Sequence, residues 1–178
     1  MDKKRQNLLI VAVNTENTAI RDAARQQVRQ VLRELLGDEP LVSTPGQAIR
    51  VARPGSKIGI SVSHEARLSL VAVNFAGPVG IDLMRSLSAD WHEQIPGLAQ
   101  DYLGPQSARY LAGLSCEEQA QHFAEAWTQH EARLKYLGLG LQEWQLALAQ
   151  RLSAIYVEQL SLPDGYIGAV AYSANLLG

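Results

Sequence analysis

Three short stretches of the 178-residue sequence concentrate side chains able to do chemistry. In Val79-Gly80-Ile81-Asp82-Leu83-Met84, strand alternation puts Val79, Ile81 and Leu83 on one face and Gly80, Asp82 and Met84 on the other, so an acid stands in mid-strand. Burying an ionised carboxylate is costly without compensation, so Asp82 calls for a metal ion, an arginine or backbone N–H groups; a strand-end aspartate bonded to a turn or to Arg85 is the plainer alternative. In Trp127-Thr128-Gln129-His130-Glu131-Ala132-Arg133-Leu134-Lys135, Glu131 and Lys135 stand four apart with the acid first. That order supports an exposed helix by about 0.2–0.5 kcal/mol, which is a sufficient structural reason for the pair. His130 falls on the apolar stripe of the same helix, between Phe123 and Leu134, where a lone histidine is ordinarily a core residue. In Ser61-Val62-Ser63-His64-Glu65, two hydroxyls and an imidazole end a predicted strand and can donate hydrogen bonds to a phosphate, although a plain strand-to-turn junction also fits. A Ser63, His64 and Asp82 hydrolase is disfavoured, because no G-x-S-x-G elbow is present and adjacent strand residues point to opposite faces.

The elements that must position these residues follow from periodicity. Leu8–Val13 reads as a buried strand, Asn14, Thr15 and Glu16 as a helix start, and Ile20, Ala24, Val28, Val31, Leu32 and Leu35 as the apolar stripe of a helix ending near Leu36, with Gly37 as C-cap. A mostly irregular connection follows, with a short strand around Ala48–Ala52. Strands are predicted at Lys57–Ser63, Leu68–Phe75 and Val79–Met84, the last two joined as a hairpin by Ala76-Gly77-Pro78. The first of these has one apolar face and one small, polar face (Gly59, Ser61, Ser63); the second is apolar on both, as a central strand is. Short helical pieces are expected from Ser88 to about Gly113, and a long helix from about Ser115 to Leu137 with Ser115 as N-cap and Gly138 beyond its end. Gln142–Ala149, Ser153–Gln159 and Tyr166–Ala171 read as strands, with Pro163-Asp164-Gly165 as a turn. The fold class is α+β.

Composition bounds the function. With 16 Lys+Arg against 18 Asp+Glu the net charge is −2, without the basic excess expected of a strong nucleic-acid binder, while anionic small molecules remain accessible to local charges. The apolar fraction of 47% is that of a folded chain. Cys116, the single cysteine, excludes an intrachain disulfide framework and a multi-thiolate zinc site. The apolar run Leu8–Val13 is too short for a signal peptide and no stretch is long enough to cross a bilayer, so a cytoplasmic protein without membrane contact is expected.

Taken in order, Ser63-His64, Gly80-Ile81-Asp82 and Trp127-Thr128-x-x-Glu131-Ala132-x-x-Lys135 resemble the 4′-phosphopantetheinyl transferase superfamily, in the branch whose chain holds two similar halves. That family's motifs are S-H, G-[IV]-D-x-E and W-[ST]-x-K-E-[AS]-x-x-K, followed by a glycine-rich helix exit like Gly138-Leu139-Gly140; the match spans about Lys57 to Gly140. The resemblance implies two similar halves related by a pseudo-twofold, residues 1–76 and 77–178, meeting near Gly77 with the active site between them. It implies transfer of the 4′-phosphopantetheine arm of coenzyme A to a serine of an apo acyl or peptidyl carrier protein, releasing adenosine 3′,5′-bisphosphate, in fatty-acid, polyketide or peptide assembly. Asp82 and Glu131 would hold Mg²⁺, Glu131 would help remove the serine proton, and Lys135, His64, Ser63 and His130 would contact the coenzyme's phosphates. One chain would contain a complete cleft and work as a monomer. Three departures from the pattern stand out: Met84 takes the place of a second carboxylate, His130 that of a lysine, and Gly46-Gln47-Ala48 lacks the lysine of a Gly-Lys-Pro stretch, for which Arg50, Arg53 or Lys57 could compensate. They motivate the alternative of a catalytically degenerate member that binds carrier protein or coenzyme A.

Overall fold

The computed structural model describes residues 7–15, 21–44 and 48–173. The expected helix start at Glu16, the stripe residue Ile20 and the Gly46 and Gln47 positions lie outside the described residues. The element order is β1 (Leu8–Asn14), α1 (Arg21–Leu36), β2 (Leu41–Val42), β3 (Arg50–Val51), β4 (Gly59–Glu65), β5 (Leu68–Asn74) and β6 (Val79–Arg85), then α2 (Ile95–Leu98), α3 (Pro105–Ala112), α4 (Cys116–Tyr136), α5 (Leu146–Ser153), β7 (Val157–Gln159) and β8 (Tyr166–Tyr172). Single turns of 3₁₀-helix (Ala89–Glu93) and π-helix (Ala99–Leu103) flank α2. The fold is mixed α+β.

Two three-stranded antiparallel sheets carry the architecture, with strand orders β1-β5-β4 and β6-β8-β7, beside the two-stranded β2-β3 ribbon. In each three-stranded sheet a long helix follows the first strand and the last strand lies in the middle. β5 is buried along its whole length, as its two apolar faces require. One face, with Val71 and Val73, packs with Ile60 of β4 under Val28, Leu32 and Leu36 of α1; the other, with Leu68, Leu70 and Ala72, packs on Val79, Ile81 and Leu83 of β6. Fully buried side chains such as Leu70 and Ile81 each contribute about 1.5–3 kcal/mol to holding the sheets together. On the far side of the second sheet, α4 lies close because Ala132 meets Ala169 and Ala171.

The small, polar face of β4 makes the junction between the sheets. A Cβ on Gly59 would collide with the carbonyl of Gly77 and with Pro78. Further along, the Ile81 N–H donates to Ser61 Oγ (3.0 Å) and the Leu83 N–H to Ser63 Oγ (3.1 Å), so serine hydroxyls satisfy amides on the edge strand β6 that would otherwise be buried without a partner. Each such orphaned amide would cost about 1–3 kcal/mol.

Two expectations are corrected. Ala76-Gly77-Pro78 does not close a hairpin: β5 pairs with β1 and β4, β6 pairs with β8, and the turn carries the chain from one sheet to the other. Residues 142–149 do not form a strand. Their second half begins α5, whose Leu148 and Leu152 bury against Leu134 of α4 at helical spacing, so that the Leu-Ala-Leu-Ala alternation is incidental. Both long helices end as expected, on Gly37 and Gly138 in the left-handed conformation (φ 62° and 69°).

Candidate active site

Gly80 sets the geometry of the site. A Cβ there would overlap the Ala132 carbonyl and the Tyr136 amide, so only glycine lets β6 approach the α4 backbone this closely. Asp82, two residues on and on the same strand face, is thereby brought to the side of α4 that carries Glu131 and Lys135. Trp127, Glu131 and Lys135 follow one another at four-residue steps and line one cavity of about 810 Å³ with Ser63, His64, Ser69, Asp82 and Met84.

Within it Lys135 Nζ donates to Asp82 Oδ1 (2.6 Å) and to the Ile81 carbonyl (3.1 Å), and lies 3.4 Å from Ser63 Oγ. Ser63 Oγ donates to Asp82 Oδ1 at 3.0 Å. Asp82 is buried, with 11% of its side chain exposed against 30% for Lys135, so the pair is sheltered from solvent screening more than a surface salt bridge is. The Glu131 carboxyl is pushed up by burial and then by the Asp82 charge, with Lys135 opposing. His64 stands exposed at the rim, its ring fixed by the 2.7 Å bond between Nδ1 and Ser69 Oγ.

Five of the six expected site residues, Ser63, His64, Asp82, Glu131 and Lys135, thus meet in one cavity. His130 does not join them. Successive residues on a helix differ by about 100°, and His130 faces a separate cavity of about 220 Å³ with Arg133, Tyr102 and Trp144. It is 9% exposed, its Nε2 has no hydrogen-bond partner among the described residues, and burial, reinforced by Arg133, lowers its pKa from 6.5 to about 4. His130 is therefore neutral near pH 7. Because the folded-state value lies below that of the unfolded chain, acid favours unfolding: stability falls as pH drops from 6.5 towards 4. Thermal melts of His130→Phe should show an acid dependence weaker than the native chain's by up to about 3 kcal/mol between those limits.

A third cavity, of about 970 Å³, shares Arg25, Val62, His64 and Lys135 with the one that holds Asp82 and adds Arg29, Arg50, Gly138 and Gly140. Arg25 and Arg29 are side chains that reading the three stretches misses. Their signal is nonetheless in the sequence, as arginines at 21, 25, 29 and 33, a basic stripe at four-residue spacing on α1. Of the suggested replacements for the absent lysine, Arg50 lines this cavity while Arg53 pairs with Glu39 at 3.0 Å.

Carboxylates beside cationic side chains at a sheet junction suit the handling of an anionic substrate, and comparison with known proteins agrees. Residues 78–165 match the 4′-phosphopantetheinyl transferase superfamily. The chain is 32% identical to 4′-phosphopantetheinyl transferase HetI of Nostoc sp. (strain PCC 7120 / SAG 25.82 / UTEX 2576), over 84% of its own length and 68% of that protein's. The chain belongs to the 4′-phosphopantetheinyl transferase superfamily and is a transferase of that class.

Proposed function

We propose that the protein transfers the 4′-phosphopantetheine arm of coenzyme A to a serine of an apo carrier protein with the help of Mg²⁺. The observation that carries this reading is the convergence of Asp82, Glu131 and Lys135 on one cavity between the two sheets. The division into halves 1–76 and 77–178 is supported by the shared strand order of the sheets and by the Gly77 crossover.

The residues fit a divalent cation. Asp82 Oδ1 already holds the Lys135 ammonium; burial first and the Asp82 charge second raise the Glu131 carboxyl, and a cation between the two acids would relieve the second of these. Among the described residues no cluster of three or more His, Cys, Asp or Glu surrounds that position, so two carboxylates would act with substrate oxygens and water, a set that Mg²⁺ accepts. Bound there, the ion would supply charge neutralisation at the diphosphate.

The remaining work falls to the chain's own groups. Lys135, one helical turn from Glu131, places an ammonium against the transferring phosphate, and His64 donates at the rim. Arg25, Arg29 and Arg50 line the adjoining cavity, where their charge favours the nucleotide end of the coenzyme. Glu131 receives the serine proton directly or through water. The departing phosphate carries the charge that these cations oppose.

Met84 also faces the cavity and brings a thioether, a poor ligand for Mg²⁺. Met84→Glu should lower the Mg²⁺ concentration needed for half-maximal transfer; an unchanged requirement would place residue 84 away from the ion. Met84 equally favours the second reading, a degenerate member that binds without transferring. Incubating the protein with coenzyme A, Mg²⁺ and apo carrier, then weighing the carrier intact, separates the two. Transfer adds one phosphopantetheine arm, whereas a binder leaves the mass unchanged and only shifts the carrier's NMR signals.

A further inference from the structure

The sequence marks Ser63 as a phosphate contact, yet its hydroxyl is committed inside the protein. A serine Oγ offers one hydrogen and two lone pairs. The hydrogen goes to Asp82 Oδ1 at 3.0 Å, and the oxygen takes the Leu83 N–H at 3.1 Å and faces Lys135 Nζ at 3.4 Å. Ser63 is 6% exposed, so no water competes freely for these bonds. Ser61, two residues earlier on the same face of β4, accepts the Ile81 N–H at 3.0 Å, and among the described residues the hydroxyl bonded to Asp82 is that of Ser63. The two hydroxyls therefore form a two-point clasp that locks β4 against β6, and only the second point reaches the acid.

We propose that Ser63 is a positioning residue that aims the Asp82 carboxylate. Because the clasp fixes Ser63 against the Leu83 amide, its hydroxyl hydrogen can point in few directions, and Asp82 Oδ1 takes it. Among the described residues, the side-chain bonds to the Asp82 carboxylate, from Ser63 and Lys135, both fall on Oδ1, so its other oxygen is held in one orientation and left to an incoming ligand. Strand β4 of one sheet thus sets the acid on the first strand of the other, which makes the site depend on the junction itself. The functional consequence rests on the reading of Asp82 as a cation ligand; the contact between Ser63 and Asp82 does not.

The test uses Mn²⁺ as the probe, with binding to the full chain followed by electron paramagnetic resonance in the absence of carrier protein. Ser63→Ala should weaken Mn²⁺ binding by about tenfold or more, the range found when an outer partner of a metal ligand is removed. It should raise the Mg²⁺ requirement for transfer, with the KM for coenzyme A nearly unchanged. Ser63→Thr, which keeps a hydroxyl, should recover most of the Mn²⁺ affinity. Ser61→Ala should lower the melting temperature as Ser63→Ala does and leave Mn²⁺ binding as in the native chain. A tenfold rise in the coenzyme KM for Ser63→Ala at native Mn²⁺ affinity would make Ser63 a phosphate ligand and overturn the proposal. Unfolding equilibria of Ser63→Ala, Asp82→Ala and the double variant, each single change removing one partner of the bond, give a measure independent of any metal. Coupling of about threefold or more is expected, and additive effects overturn the proposal. If the native chain bound no Mn²⁺ while that coupling was present, the cation reading would fall and the hold of Ser63 on Asp82 would stand.

Discussion

Asp82→Asn should lower the rate of phosphopantetheine transfer by about a thousandfold or more, because it withdraws several kcal/mol of charge stabilisation at the diphosphate. The substitution is close to isosteric, and the amide oxygen it introduces can still accept the Ser63 hydroxyl, so the fold should survive. What is lost is the anion that now holds Lys135 at 2.6 Å and would share a cation with Glu131. Glu131→Gln should have a similar effect on rate. It also removes the acceptor for the serine proton, so the loss should persist at high Mg²⁺, whereas part of the Asp82→Asn deficit should be recovered there. Circular dichroism and melting curves alongside the kinetics separate a lost site from a lost fold. Native turnover in both variants would refute the assignment.

Gly80→Ala should damage stability and activity together. The added methyl meets backbone atoms of α4 at Ala132 and Tyr136, which cannot rotate away as a flexible side chain would, so β6 and α4 must separate. A cost of about 3 kcal/mol is expected, which for a domain of this size lowers the melting temperature by roughly 6–12 °C. The protein that remains folded should also be impaired, because separating the two elements moves Asp82 from Glu131 and Lys135, and a misplacement of about 1 Å can cost around a hundredfold in rate. The diagnostic result is a deficit in kcat measured well below the melting transition. A fully active but less stable Gly80→Ala would show that close approach at residue 80 serves packing alone.

Local pattern made much of this legible in the sequence. β5 is a central strand because both its faces are apolar, α4 starts where Ser115 donates its N–H to Glu118 Oε2 at 3.2 Å, and the mid-strand acid has a cationic partner, although it is Lys135 of α4 and not the metal ion, arginine or backbone amides that its burial suggested. What failed was decided by distant residues. Turn chemistry at Ala76-Gly77-Pro78 specifies a bend but not which sheet receives the next strand. The alternation within residues 142–149 is overridden by the helical spacing at which Leu148 and Leu152 meet Leu134. His130 lies beside Glu131 in sequence but on another face of the helix, so its motif position says nothing of which cavity it enters. The clasp of Ser61 and Ser63 was visible only as a small, polar strand face, since a hydroxyl that binds substrate and one that binds a neighbouring strand look alike until the strand is placed.

The most direct measurement is calorimetric titration of Mn²⁺ into the protein with coenzyme A bound, for the native chain, Asp82→Asn and Glu131→Gln. One ion per chain is expected for the native protein, with affinity falling about tenfold or more in each variant. Equal affinity and stoichiometry in all three would mean that the strand acid and the helix acid do not share a cation.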